Sequence, residues 1–303
     1  MEALSYFINS LRFPNRQDSI RMSLGIRSRS RKMAAFWRAH LDLSRSFINS
    51  NLEIATKDKN IREIVVLGAG ALLDLDCKTL DSYPSSIRLV DVDPTVEKFS
   101  RGLFPKARAA NQFAWQTADV TGVMDRWTTE LKLFVKATPD IQDVCRFFRE
   151  LSSEASPVKI GGDSCVISLN LMGQLGVYWR DRAFHILRPT TYYLDNKGDL
   201  LPQIDEALSS SVKRLEEAHV DLLQAARFII LITDIRYYYY RKDIAPWQVE
   251  DALTSFDLSM QLKDRGFIPV NFNSWLWHIS PQGLGDPTYG EIHEVHALAF
   301  SRD

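Results

Sequence analysis

The sequence predicts an α/β protein built on a seven-stranded, mostly parallel, doubly wound sheet that ends in a C-terminal antiparallel hairpin and carries an N-terminal helical extension. Three observations lead there. From residue 61 onward, short runs rich in β-branched residues alternate with helical stretches, the pattern of a parallel sheet covered on both faces. The last two runs have no helix between them, so they must pair antiparallel. Ahead of both, residues 12 to 45 carry nine basic residues (Arg12, Arg16, Arg21, Arg27, Arg29, Arg31, Lys32, Arg38, Arg45) against two acidic ones, Asp18 and Asp42.

The first strand is read in Arg62-Glu63-Ile64-Val65-Val66-Leu67, closed by Gly68-Ala69-Gly70, and the second in Ile87-Arg88-Leu89-Val90-Asp91. Residues 113 to 118 form a weaker third. Cys165-Val166-Ile167-Ser168-Leu169 is the fourth, and Arg227-Phe228-Ile229-Ile230-Leu231-Ile232-Thr233 the fifth and most apolar. The hairpin follows in Ser274-Trp275-Leu276-Trp277-His278-Ile279 and Glu294-Val295-His296-Ala297-Leu298-Ala299-Phe300, joined by a Gly/Pro-rich turn region over 281 to 290.

Helices fill the intervals. Met33, Phe36, Trp37, Leu41, Phe47 and Ile48 recur at helical spacing. Asp93-Pro94 predicts a helix opening, with the carboxylate as cap and proline at the first position. Thr138-Pro139 predicts another, before the stripe Ile141, Val144, Cys145, Phe148 and Leu151. The longest helix is expected over 202 to 226, and one more over 246 to 263, stopped by Gly266.

Composition narrows the function. Thirty-seven Lys and Arg against 38 Asp and Glu leave a net charge of −1, so no global field draws the chain to nucleic acid or an anionic membrane. No apolar run approaches the roughly 20 residues that span a bilayer. The start of the chain lacks the cationic and apolar segments of a secretory signal, so a cytoplasmic location is expected. Cys77, Cys145 and Cys165 form no Cys-x-x-Cys pair and are read as reduced thiols.

Gly68 and Gly70 stand where backbone can approach a ligand without an intervening Cβ, and Asp91 ends the second strand about twenty residues on, where a carboxylate can accept both ribose hydroxyls of an adenosine. Gly68-Ala69-Gly70, Leu89-Val90-Asp91-Val92-Asp93-Pro94, Ala118-Asp119-Val120 and Ser168-Leu169-Asn170 follow the order and approximate spacing of the cofactor motifs of class I S-adenosylmethionine-dependent methyltransferases. The chain resembles that family over residues 61 to 303, and more loosely is similar to nicotianamine-synthase-like proteins, which use the same fold and cofactor to transfer a different alkyl group. The resemblance implies a Rossmann-like methyltransferase domain over 61 to 303, with residues 1 to 60 as a helical cap or lid. It implies S-adenosylmethionine as cofactor, with Gly68, Ala69 and Gly70 at its methionine part, Asp91 on the ribose, Asp119 at the adenine amino group and Val120 beside the ring. Asn170 would lie next to the transferred methyl. Val66 and Leu72 depart from the family pattern, which often has an acidic and a small residue there. Leu73 stands where a nicotinamide-binding fingerprint needs glycine, which argues against a dehydrogenase.

Methyl transfer from a sulfonium requires alignment of the acceptor more than acid-base chemistry. Residues expected to meet the acceptor lie at the ends of the fourth and fifth strands: Asn170, Gln174, Asp234, Arg236 and Tyr237 to Tyr240, with Asn170, Asp234 and Tyr237 as the catalytic set. Structural readings stay open for several of these. Asp93 is a helix cap, Asp119 a turn former, and Asp234 a cap or a salt-bridge partner of Arg236. His278, His293 and His296 have spacing unsuited to a metal site and are read as hairpin-surface or pocket-rim residues. The expected function is methyl transfer to a nitrogen or oxygen of a small molecule in a pocket roofed by residues 1 to 60. Two alternatives remain: a methyltransferase-fold protein without catalysis that serves as a partner or scaffold subunit, and a nucleic-acid methyltransferase using the N-terminal arginines; assembly as a homodimer or with a partner protein stays open.

Overall fold

A computed structural model describes residues 17–58, 60–153, 156–241, 248–254 and 257–302; Arg12, Arg16 and Pro246 of the sequence analysis lie outside them. Two helices, α1 (Gln17–Lys32) and α2 (Ala34–Ala55), precede β1 (Glu63–Leu67). Then come α3 (Cys77–Leu80), β2 (Ser86–Asp91), α4 (Val96–Ser100), α5 (Pro105–Ala109), β3 (Phe113–Thr117), α6 (Met124–Phe134), α7 (Ile141–Glu150) and β4 (Ser164–Leu169). The chain closes with α8 (Leu171–Leu187), α9 (Pro202–Leu223), β5 (Phe228–Tyr240), β6 (Gln248–Asp251), α10 (Leu258–Asp264), β7 (Ile268–Ser280) and β8 (Gly290–Ser301).

One sheet runs in the order β3-β2-β1-β4-β5-β8-β7, with β6 attached to β5. The strands from β3 to β5 are parallel, and β8 returns antiparallel between β5 and β7. An open parallel sheet completed by an antiparallel hairpin is the class I methyltransferase architecture, so the predicted fold is the one adopted, with an eighth, short strand added.

Both faces of the sheet are covered, as strands apolar on both sides require. On one face Val65, Leu67, Val166, Ile229 and Leu231 pack against α6 to α9, where Trp127, Phe148 and Trp179 are fully buried. Trp179 sits 5.4 Å from Trp127 and 6.1 Å from Phe148, and its indole N–H donates to Ser211 Oγ at 2.7 Å. On the other face Ile64, Val66, Ile167, Ile230 and Val295 meet Phe47, Ile48, Leu52 and Ala55 of α2. The periodic stripe of the N-terminal segment thus forms a layer of the sheet's core. Among the described residues no helix is long and apolar enough to cross a membrane.

Local chemistry departs from three expectations. Asp140, not Thr138, caps α7, its carboxylate accepting from the Asp143 N–H at 2.8 Å, while Thr138 turns left-handed (φ +50°). Asp93 accepts from the Thr95 N–H and forms the turn before α4, whose cap position is Thr95. Where a helix is expected over 246 to 263, the described residues form β6 and then the shorter α10. β5 runs seven residues past Thr233, and the edge that β4 leaves free at Leu169 is taken by residues 248–251 pairing with Tyr239 back to Arg236. Asp257 then caps α10 through the Met260 N–H, and Gly266 (φ +83°) ends it as expected.

Truncating Trp179 to Ala is expected to cost about 3–5 kcal/mol of stability in urea unfolding, since the large side chain anchors three helices and leaves a cavity. A loss below about 1 kcal/mol would mean that the packing around it readily collapses.

Candidate functional site

The chain order reverses between β1 and β4, and the crevice above their C-terminal ends is where open α/β sheets bind ligands. The tip of β1 turns sharply. Gly68 and Ala69 both donate backbone N–H bonds to the Val90 carbonyl (3.0 and 3.2 Å), and Gly68 and Gly70 are left-handed (φ +71° and +48°). The two glycines serve different ends. A Cβ on Gly68 would strike Leu171 Cγ at 2.6 Å and the Leu169 carbonyl at 2.8 Å, so it is small to let α8 start against it. A Cβ on Gly70 would find only the Gly68 carbonyl, at 3.7 Å, so its side is open to a ligand.

Asp91 closes this turn from β2. Its Oδ2 accepts the Gly70 N–H at 2.7 Å and its Oδ1 the Asp93 N–H at 2.8 Å, which fixes the carboxylate at the crevice rim. Desolvation raises its pKa from the ordinary carboxylate value, with these amides pulling the other way. Each oxygen keeps a lone pair beyond its amide bond, so the group can still accept ribose hydroxyls. Ala69 is buried in the sheet core. Leu72 is buried and left-handed (φ +58°), a conformation unusual for a branched aliphatic residue.

Asp119 faces its own turn. Its carboxylate accepts from the Thr121 N–H and hydroxyl at 2.9 and 2.7 Å and from the Met124 N–H, at the first residue of α6, at 2.9 Å. Val120 is buried among Val90, Val123 and Met124. Asn170 adopts the left-handed conformation (φ +51°) that Asn tolerates, donates its N–H to Ile232 O at 2.7 Å, and buries a side-chain oxygen without a partner among the described residues.

A second cluster lies over β4, β5 and β8. Gly173 of α8 lets the helix touch β5: a Cβ there would meet the Asp234 carbonyl at 3.0 Å and the Tyr237 hydroxyl at 3.3 Å. Tyr237 donates to Gly173 O at 3.3 Å, and Gln174 Nε2 reaches Asp234 Oδ2 at 3.4 Å. Asp234 is fully buried, with Oδ2 3.0 Å from His293 Nδ1 and Oδ1 unpartnered among the described residues. His293 Nε2 meets Glu291 Oε1 at 2.9 Å, and its ring lies 4.3 Å from that of Tyr237. Burial opposes charging of His293, but Asp234 and Glu291 outweigh it and hold its pKa at about 9.

His293 is therefore a buried member of the site and not a surface or rim histidine. The apolar run of the fifth strand ends at Thr233 in the sequence, which leaves the start of the hairpin without an inner neighbour. β5 instead continues to Tyr240 and pairs Tyr237 with His293. Arg236, set off from Asp234 by a register shift, pairs with Asp251 (3.2 Å) and Glu294 (3.5 Å), so it is not the partner of Asp234. His278 is exposed and His296 part-buried beside Glu294. Among the described residues no group of three His, Cys, Asp or Glu is arranged to hold a metal.

The end of α2 ties the two clusters together. His40 stacks on Trp277 at 3.8 Å, and Trp277 approaches His293 edge-on at 5.8 Å. The indole N–H of Trp275 donates to His40 Nδ1 at 3.0 Å, so Nε2 carries the ring proton and donates to Asp74 at 2.9 Å. Arg45 donates twice to the Leu73 carbonyl (3.1 and 2.6 Å). Both contacts hold the segment that follows the glycine turn.

No family model and no curated protein matches the chain. It is similar to solved structures of an O-methyltransferase family protein from Burkholderia thailandensis (9% identity over 89% of this chain and 57% of that one, TM-score 0.36) and a SAM-dependent methyltransferase from Anabaena variabilis (8%, 90% and 95%, 0.34). A third is a precorrin-6y C5,15-methyltransferase from Geobacter metallireducens (12%, 81% and 84%, 0.31). At these values the likenesses carry no argument about the site, and the architecture stands on the strand order.

The folded pKa of His293, about 9, lies above its ordinary 6.5. Its contribution to stability is therefore fully present below about pH 6.5 and is lost as pH rises through about 9. The melting temperature is expected to fall more steeply between about pH 7 and about pH 10 in the wild type than in His293→Gln. Equal slopes would remove the ion pair from the description.

Proposed function

We propose that the chain binds S-adenosylmethionine over the tips of β1 and β2 and transfers its methyl group to a nitrogen or oxygen of a small molecule held above β4, β5 and β8. The observation that carries this reading is the Asp91 carboxylate, braced by two backbone amides beside the open flank of Gly70 at the point where the strand order reverses.

Bound there, the cofactor supplies a methyl group already activated on a sulfonium. The chain's part is to orient and to exclude water. Asp91 accepts the ribose hydroxyls, and the open flank of Gly70 admits the methionine portion. Asn170, at the tip of β4, offers its unpartnered side-chain oxygen toward the reacting end. Asp234 accepts a proton or a hydrogen bond from the acceptor. His293, charged at neutral pH, holds the Asp234 carboxylate in place at 3.0 Å, while Tyr237 packs beside both. Part of residues 1 to 60, the Trp37 and His40 end of α2, would form the roof.

A second reading, a methyltransferase-fold protein without catalysis, draws support from Leu171 pressing on Gly68 and from Asp119 facing its own turn. A nucleic-acid acceptor draws less: of the arginines it invokes, Arg45 is engaged with Leu73 and Asp42.

Calorimetry with S-adenosylhomocysteine separates the first two readings. Saturable binding is expected for the wild type, about tenfold to a hundredfold weaker in Asp91→Ala, the range for losing a charged hydrogen-bond acceptor. No heat of binding to the intact wild-type chain would dismiss the enzymatic reading.

A further inference from the structure

The outer strand of the hairpin is an edge with unusual chemistry. β7 is thirteen residues long and pairs with β8 on one side; among the described residues no strand pairs with the other. Soluble proteins guard such edges with lysine, inward charges, or short or interrupted strands. Here residues 267 to 285 contain no Asp, Glu, Lys or Arg, in a chain where 25% of residues are charged. The register shifts of β7 lie near its ends, between Pro269 and Asn271 and between His278 and Ser280, so its centre is regular.

That centre is also apolar toward solvent. Phe272 and Leu276 are 55% and 54% exposed, on a strand whose neighbour β8 is largely buried. The backbone polar groups are legible as well. The N–H groups of Phe272 and Ser274 are met at 2.9 Å by the side-chain oxygens of Asn271 and Asn273, so they face away from β8. By the two-residue alternation of antiparallel pairing, the N–H of Leu276 faces the same way.

We infer that this edge pairs with β7 of a second copy of the chain, the two strands antiparallel about a two-fold axis so that the sheets of both copies join. The second copy is the occupant favoured by the strand itself. Antiparallel pairing of one segment with its own equivalent is the self-complementary contact that two-fold symmetry demands, and an uncharged strand meets no like-charge repulsion in making it. With the axis at Ser274, Phe272 of one copy lies opposite Leu276 of the other, twice over, which buries the exposed apolar residues in pairs. The side-chain bonds of Asn271 and Asn273 give way to strand-to-strand bonds. Neither the cofactor nor the catalytic reading enters this inference.

Sedimentation velocity of the full chain from about 1 to about 100 µM tests it, since self-association follows mass action. A concentration-dependent dimer is expected. Leu276→Lys and Ser274→Pro should each weaken the dimer at least about tenfold, the first by placing charge at the seam and the second by removing an outward N–H. Both positions are exposed, and circular dichroism checks that the variants fold. Hydrogen exchange on the wild type gives an independent reading: protection of the Leu276 amide should fall on dilution. A monomer throughout the range, a dimer indifferent to both substitutions, or Leu276 protection that does not change with concentration would each overturn the proposal. The last of these would mean that the edge is covered within a single chain.

Discussion

The upper rim of the molecule is organised by a mismatch in strand length. β4 stops at Leu169, while its neighbour β5, paired with it only as far as Ile232, continues to Tyr240. The overhang needs partners for its backbone on both sides, because unpaired N–H and C=O groups inside a protein are costly. β8 supplies one side along the full overhang, and β6 the other where β4 has ended. Those pairings set His293 across from Tyr237 and beside Asp234, and Glu291 across from Tyr239, within reach of His293. The buried charge cluster is a consequence of how far one strand runs.

The same overhang sets where α8 can lie. The helix begins at the tip of the short strand, directly after the left-handed Asn170, and must pass beneath the wall made by β5. Gly173 permits the backbone contact, and Gly176 repeats the device against Val212 of α9, where a Cβ would stand 2.7 Å from a methyl carbon. Leu171 then fills the space behind Gly68. Glycine turn, helix start and overhanging strand form one packed unit, so the crevice above β1 and β2 and the buried cluster over β4, β5 and β8 share a wall.

Much of this was readable in the residues. Strands buried on both faces appear as uninterrupted apolar runs, and the glycines followed by Asp91 mark the crevice. The upper half of β5 was not legible, because Asp234-Ile235-Arg236-Tyr237 alternates charge with bulk and resembles a pocket lip more than a strand. Its partner β6 was hidden for a related reason: Val249, Ala252, Leu253, Leu258 and Leu262 fall near helical spacing, and only the free edge of β5 selects extension for the first of them. The role of His293 could not emerge without the pairing of β5 with β8. The turn at Asp119 shows a different ambiguity. One carboxylate followed by a threonine suits a ligand and a turn equally well in sequence, and the structure shows the turn, with its oxygens on the Thr121 and Met124 amides.

The glycines of α8 carry one last implication, concerning the order in which the molecule assembles. Each costs a free helix about 1 kcal/mol relative to alanine, so this segment has little reason to coil before the sheet exists to receive it. It becomes helical by docking. On warming, it should be among the first long helices to loosen from the layer around it, and since it borders both the glycine turn and the Asp234 cluster, their geometry would be lost while the rest of the core is still intact.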